Sequence, residues 1–166
     1  MLTLRVAATK EDVFLIHRLA EAIWWPTYRP YIPEQQIREM LEDRYVPEIL
    51  WKEVCLGIPY VLAFRNEVAV GFTNYIPSAS QPDLIRIEKL YVLPGEQGKG
   101  TGQSLLQYIE KQAYSLGKTR LQLNVNRHNS AKTFYDRQGF EVVNSVDIPY
   151  RSYVLNDYIM EKSLKA

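Results

Sequence analysis

Sulfur and imidazole are nearly missing from this chain of 166 residues: Cys55 is its one cysteine, and His17 and His128 are its two histidines. A lone thiol closes no internal disulfide, and so few soft ligands argue against a structural or catalytic metal, so none is expected. Charge of one sign is missing too. Twenty Lys and Arg stand against 19 Asp and Glu, a formal net charge of +1, which offers neither nucleic acid nor an anionic membrane an electrostatic footprint. No apolar run reaches the ~20 residues of a membrane-crossing helix. The first residues lack a basic segment followed by an apolar one, so a cytoplasmic rather than a secreted protein is expected. What is present is ordinary: 46% hydrophobic and 23% charged residues, the composition of a globular domain, with a length that suits one domain over residues 1–166.

The periodicity predicts a short strand over Leu2 to Ala7. Thr9, three residues before Asp12, predicts the N-cap of a helix with Val13, Ile16, Leu19, Ala20 and Ile23 on one face. Two tryptophans, two tyrosines and three prolines crowd Trp24 to Pro33, which reads as a loop or broken helix, either a lid over the core or a wall of a substrate site. Helices are expected over Glu34–Arg44 and Pro47–Leu56, and a hairpin from Tyr60–Phe64 and Val68–Tyr75 around Arg65-Asn66-Glu67. A strand over Leu84–Val92 follows the polar loop Ser78–Asp83. A helix from Gly100 stops near Gly117, and a strand follows at Arg120–Val125. A short helix spans Asn129–Gln138 and ends at Gly139, before closing strands at Glu141–Pro149 and Tyr153–Lys162. This order, β-α-α-α-β-β-β-α-β-α-β-β, describes an α/β domain with helices around one mixed sheet.

Glycine concentrates where the chain passes from strand to helix: Leu90-Tyr91-Val92-Leu93-Pro94-Gly95-Glu96-Gln97-Gly98-Lys99-Gly100-Thr101-Gly102. Such a turn presents free backbone N–H groups and a positive helix end to an anion, of which phosphate is the natural choice. Two phosphate motifs fail on spacing. A Walker loop needs Lys and then Ser or Thr after its last glycine, but Thr101 and Gly102 follow Gly100. A dinucleotide fingerprint needs a third glycine where Gln103 or Leu105 stands. What remains is Gln97-x-x-Gly100-x-Gly102 behind a strand ending Val92-x-Pro94.

That pattern resembles the coenzyme A pyrophosphate loop of the GCN5-related N-acetyltransferases (GNAT). A second block, Asn126-Arg127-His128-Asn129-Ser130-Ala131-Lys132-Thr133-Phe134-Tyr135-Asp136-Arg137-Gln138-Gly139-Phe140, resembles the family's Asn-x-x-Ala-x-x-Phe-Tyr and Gly-Phe signature one strand after the long helix. The resemblance implies a single-domain GNAT fold, with a sheet of six to seven strands in which Leu84–Val92 and Arg120–Val125 splay apart. It implies acetyl transfer from acetyl-CoA to an amine by direct attack, with no metal. Gln97, Gly98, Lys99, Gly100, Thr101, Gly102 and Gln103 would bind the cofactor's pyrophosphate, and the backbone of Leu90, Tyr91 and Val92 the acetyl carbonyl. An alkylammonium of pKa ~10.4 is almost wholly protonated at neutral pH, so a base is needed; Glu88 is the implied one, unless it is a surface residue paired with Arg86 or Lys89. Tyr135 matches the acid that protonates the departing thiolate, unless it is a core tyrosine. Asn129 would bond the pantetheine arm, or only cap its helix.

Ile87-Glu88-Lys89-Leu90-Tyr91-Val92 and Asp157-Tyr158-Ile159-Met160-Glu161-Lys162 bring the resemblance nearest to bacterial spermine and spermidine acetyltransferases, implying a small polyamine-like substrate. Trp24, Trp25, Tyr28 and Tyr31, with Glu21, Glu34 and Glu39, could then recognise a cation, although acids at these spacings also describe a wet helix face. A protein or peptide amine is the same-chemistry alternative, and a non-catalytic acyl-CoA-binding regulator the alternative of another class. The family's C-terminal strands often pair subunits, which leaves a homodimer open.

Overall fold

The computed structural model describes residues 1–164. In chain order the elements are β1 (Leu2–Val6), α1 (Lys10–Tyr28), α2 (Glu34–Arg44), α3 (Pro47–Cys55), β2 (Tyr60–Arg65), β3 (Val68–Pro77), β4 (Leu84–Val92), α4 (Thr101–Ser115), β5 (Arg120–Asn126), α5 (Ala131–Arg137), β6 (Glu141–Tyr150) and β7 (Tyr153–Ser163), with a 3₁₀ turn at Pro94–Glu96. The strands form a seven-stranded mixed sheet in the order β1-β2-β3-β4-β5-β7-β6. The described residues divide into two compact units, one of residues 1–75 and 89–107, the other of residues 76–88 and 108–164.

In the first unit, α1 starts where the sequence places it. Thr9 Oγ1 accepts the Asp12 N–H at 3.2 Å, and Asp12 Oδ2 accepts the Thr9 N–H at 3.1 Å, closing a capping box. Val13, Ile16, Leu19, Ala20 and Ile23 are all buried, each larger aliphatic contributing ~1.5–3 kcal/mol of transfer free energy. Of the loop or broken helix expected over Trp24–Pro33, the first half is helical: α1 continues through Pro26 to Tyr28 and the non-helical turn occupies only Arg29–Pro33. Pro26 forfeits one N–H, but the carbonyl it deprives belongs to Ala22, which is exposed and open to water. Trp24 and Tyr28, four apart, bury the same face. α1 packs on α2 and α3. β1, β2 and β3 form an antiparallel run, and the β2–β3 hairpin turns at Asn66 and Glu67, both at positive φ (50° and 69°), the conformation of a tight two-residue turn.

In the second unit, β5 pairs with β7 and β7 with β6, both antiparallel. β4 joins β5 in parallel only from Leu84↔Arg120 to Ile87↔Leu123, although β5 runs on to Asn126, so the pairing ends early, as a splayed pair requires. α4 ends in a Schellman arrangement: Gly117, at φ 70°, donates to Tyr114 O and Lys118 N–H returns to Ala113 O. α5 is shorter than the expected Asn129–Gln138. Residues 126–130 are taken up by a turn in which Asn129 N–H donates to Asn126 O.

Candidate active site

The Gly-rich loop lies between the 3₁₀ turn and α4. Gly98 and Gly100 sit at φ 82° and 84°, a region that penalises a Cβ, and nothing lies within 4 Å of where their Cβ atoms would be. Among the described residues, the amides of Gly98, Gly100 and Thr101 make no backbone hydrogen bond, and the first bond into α4 is Ser104 N–H to Gly100 O at 3.0 Å. Gln97, Lys99 and Gln103 are exposed and Thr101 is buried. A loop of unspent amides at a helix start is the chemistry that an anionic pyrophosphate requires.

Upstream, Leu90, Tyr91 and Val92 of β4 pass close to β3. Thr73 donates its hydroxyl to Lys89 O at 2.5 Å, and a Cβ on Gly71 would stand 2.9 Å from Tyr91 O. Gly71 was absent from the expected site. The signal available for it was a lone glycine inside a strand pattern, which marks close backbone approach.

Tyr91 also belongs to an aromatic cluster. Trp24 lies 4.5 Å from Tyr28, 5.5 Å from Tyr45 and 5.7 Å from Tyr91 between ring centroids, and Phe72 lies 5.9 Å from Tyr91. The Tyr28 and Tyr91 hydroxyls are 3.0 Å apart, with Tyr31 edge-on to Tyr28. Burial, then the neighbouring Tyr91, pushes the Tyr28 and Tyr45 phenols well above their ordinary pKa, and Tyr31 moves in the same direction. These phenols stay neutral. Trp25 does not join this cluster, because successive helical residues point about 100° apart. It lies under the guanidinium groups of Arg29 and Arg38 and donates Nε1–H to Glu21. Glu34 pairs with Arg38 and Glu39 accepts from Gln35, so these acids are engaged on the helix surface.

In the second unit, Glu88 is exposed and its Oε1 lies 3.5 Å from Arg86 Nε, while Arg86 also donates to Gln122 at 2.6 Å. Tyr135 is 6% exposed, packed edge-on against Phe134 and Phe140. Asn129 Oδ1 accepts the Ala131 N–H at 2.9 Å, so Asn129 supplies the cap of α5, whereas Ser130, at the formal cap position, makes no side-chain bond. The described residues contain no group of three or more His, Cys, Asp or Glu that could hold a metal ion, and no helix is long and apolar enough to cross a membrane.

The family model described as "Acetyltransferase (GNAT) family" matches residues 17–140. The chain belongs to this family. Over 94% of each chain it is 28% identical to a spermidine N(1)-acetyltransferase of Thermoplasma acidophilum. Its structure matches that of the PaiA N-acetyltransferase of T. acidophilum in complex with coenzyme A, with a TM-score of 0.85 and 27% identity, covering 98% of this chain and 99% of that one. It shares its fold with the ribosomal-protein-S18-alanine N-acetyltransferase of Escherichia coli, at a TM-score of 0.73, 16% identity and coverage of 100% and 96%. This GNAT chain is thus an acetyl-CoA-dependent acetyltransferase, and its Gly98–Thr101 loop, with unspent amides and open glycine faces, fits the coenzyme's charged end.

Proposed function

We propose that the protein is an N-acetyltransferase for a primary amine of a small, polyamine-like molecule, and that residues 1–166 act as one domain. The observation that carries the substrate class is the end-to-end similarity to a spermidine N(1)-acetyltransferase, over 94% of both chains. The single-domain reading has the same support, together with the interleaving of the two compact units, between which the chain passes after Tyr75, Glu88 and Gln107. Acetyl-CoA, when bound, supplies an activated acetyl thioester, and its intracellular supply supports a cytoplasmic location.

The chain's residues then divide the work. Residues Gln97 to Gln103 hold the pyrophosphate, through the amides of Gly98, Gly100 and Thr101 and with the charge of exposed Lys99 beside them. A backbone N–H of Leu90–Val92, beside the close approach at Gly71, points a fixed dipole at the acetyl oxygen. Asn129 orders the second-unit loop that meets the pantetheine arm. Glu88 accepts the ammonium proton, directly or through water, and its exposure suits exchange with solvent. Tyr135 returns a proton to the leaving sulfur; a phenol of pKa ~10 is well matched to a thiolate. For the amine, Tyr28 and Tyr31 offer neutral phenol oxygens and ring faces. Trp24, 2% exposed, supports them from the core, and Trp25 takes no part.

The test is release of coenzyme A thiol across a panel of polyamines, amino acids and short peptides. Polyamine-dependent release is expected, falling about 100-fold in kcat in Tyr135→Phe with coenzyme A affinity unchanged. Glu88→Gln is expected to remove the acidic limb of the kcat/KM profile. Release with peptides alone would sink the substrate assignment, and binding without release for any amine would make the chain a regulator.

A further inference from the structure

A buried carboxylate adjoins the loop that the proposed function assigns to a pyrophosphate. Glu96, the last residue of the 3₁₀ turn, is 7% exposed. A carboxylate is costly to bury, and beside a phosphate site it repels the ligand. Its partners resolve the conflict. Arg65, the last residue of β2, directs Nε at both carboxylate oxygens, at 3.0 and 2.9 Å. Thr101, the first residue of α4 and 1% exposed, donates its hydroxyl to Glu96 Oε2 at 2.9 Å. Arg65 Nη2 reaches Thr101 Oγ1 at 3.3 Å, and Lys99 Nζ lies 3.8 Å from Glu96. The Arg65 hydrogen bonds outweigh burial and hold the Glu96 carboxyl below its ordinary value.

Glu96 immediately precedes the loop and Thr101 immediately follows Gly100, so their hydrogen bond ties the two ends of Gln97–Gly100 across its base. Left to itself, a segment with two left-handed glycines has more backbone freedom than any other to lose on binding. The tie removes that freedom before the ligand arrives. Arg65 anchors the tie to a strand 31 residues earlier in the chain and cancels the charge.

We propose that Arg65, Glu96 and Thr101 form a positioning clamp that sets coenzyme A affinity, by tying the base of the loop and by masking the Glu96 charge from the pyrophosphate. The proposal rests on the assignment of the loop to that pyrophosphate.

Coenzyme A titrated calorimetrically into the full chain tests it. Arg65→Ala, which leaves a buried carboxylate unpaired, is expected to weaken binding about 30-fold, and Glu96→Gln, whose amide oxygen still accepts from Thr101, only about 3-fold. The double variant R65A/E96Q is expected within about 5-fold of the parent, so that the second change rescues the first. A purely structural role predicts the reverse, a double variant at least as weak as R65A. For Glu96→Gln, KM for acetyl-CoA is expected to rise with kcat unchanged. Should Arg65→Ala fail to fold, Arg65→Lys, which keeps the charge but loses the two-point contact, is expected to weaken binding about 5-fold. Gly98→Val separates the two readings. Unchanged coenzyme A binding in Gly98→Val overturns both the loop assignment and the clamp. Lost binding there, with R65A within twofold of the parent or unrescued by E96Q, overturns the clamp alone.

Discussion

Gln97, Gly98, Lys99 and Gly100 are exposed, whereas Trp24, Tyr45 and Phe72 are at most 2% exposed. Both groups belong to the same compact unit. The loop keeps the amides of Gly98 and Gly100 unspent and owes its shape to those two glycines and a tie at its base. The aromatic cluster spends nearly every surface on a neighbouring ring, drawing on α1, the α2–α3 connection, β3 and β4. A loop proposed to take an anion stays polar and unsatisfied until its ligand binds, while a buried cluster of rings is rigid beforehand. Damage to the loop should therefore appear in binding, and damage to the cluster in stability.

The largest expected effect is on the cluster. Trp24→Ala removes the ring that touches Tyr28, Tyr45 and Tyr91, and should cost ~3–5 kcal/mol in urea unfolding. Coenzyme A affinity of the folded fraction should be unchanged; a large loss of affinity with unaltered stability would invert the comparison. Next comes the loop. Gly100→Val at φ 84° should weaken coenzyme A about 100-fold, or ~2.7 kcal/mol, while lowering stability by only ~1–2 kcal/mol, the cost of a left-handed side chain.

The helix start that orients the cluster gives a smaller effect. Burial alone would raise the Asp12 pKa, but the Ala8 and Thr9 amides and Arg5 outweigh it and hold it below its ordinary value. A carboxylate with a depressed native pKa stabilises fully above its unfolded pKa of ~3.9 and loses that contribution as pH falls through the native value. Asp12→Asn should thus cost ~1–2 kcal/mol at neutral pH, with the deficit shrinking below about pH 4 in unfolding midpoints; a deficit constant with pH would remove the charge from the explanation. Smallest is Glu67→Gly, which relieves a left-handed residue at φ 69° and should raise stability by ~0.5–1 kcal/mol. It should leave the loop's coenzyme A affinity untouched, although Arg65 is two residues away.

Much of this was legible in one dimension. Element order, the capping box at Thr9 and Asp12, the left-handed stops at Gly117 and Gly139, and both GNAT signatures depend on residues within a few positions of one another, where backbone sterics and hydrogen-bond spacing act directly. The failures have a common cause as well. Three prolines from Pro26 to Pro33 read as a loop or broken helix from Trp24 on, but Pro26 lies on the exposed side of α1, where the deprived carbonyl is open to water, while Trp24 and Tyr28 are held by the Tyr91 ring of β4. Adjacent letters likewise grouped Trp25 with Trp24, although one helical step separates an arginine-covered surface from the core.

By itself, then, the sequence determined the family, the donor and the Gly-rich strand-turn-helix proposed to hold an anion, because each is written in short-range spacing. Only the tertiary structure decided which aromatics form the buried cluster, why residue 71 is a glycine against Tyr91 O, and how a buried Glu96 is tolerated beside that loop. Each of these depends on partners brought together across the fold, and the Arg65 to Glu96 pair, 31 residues apart, has no spacing from which a reader of the chain could recover it.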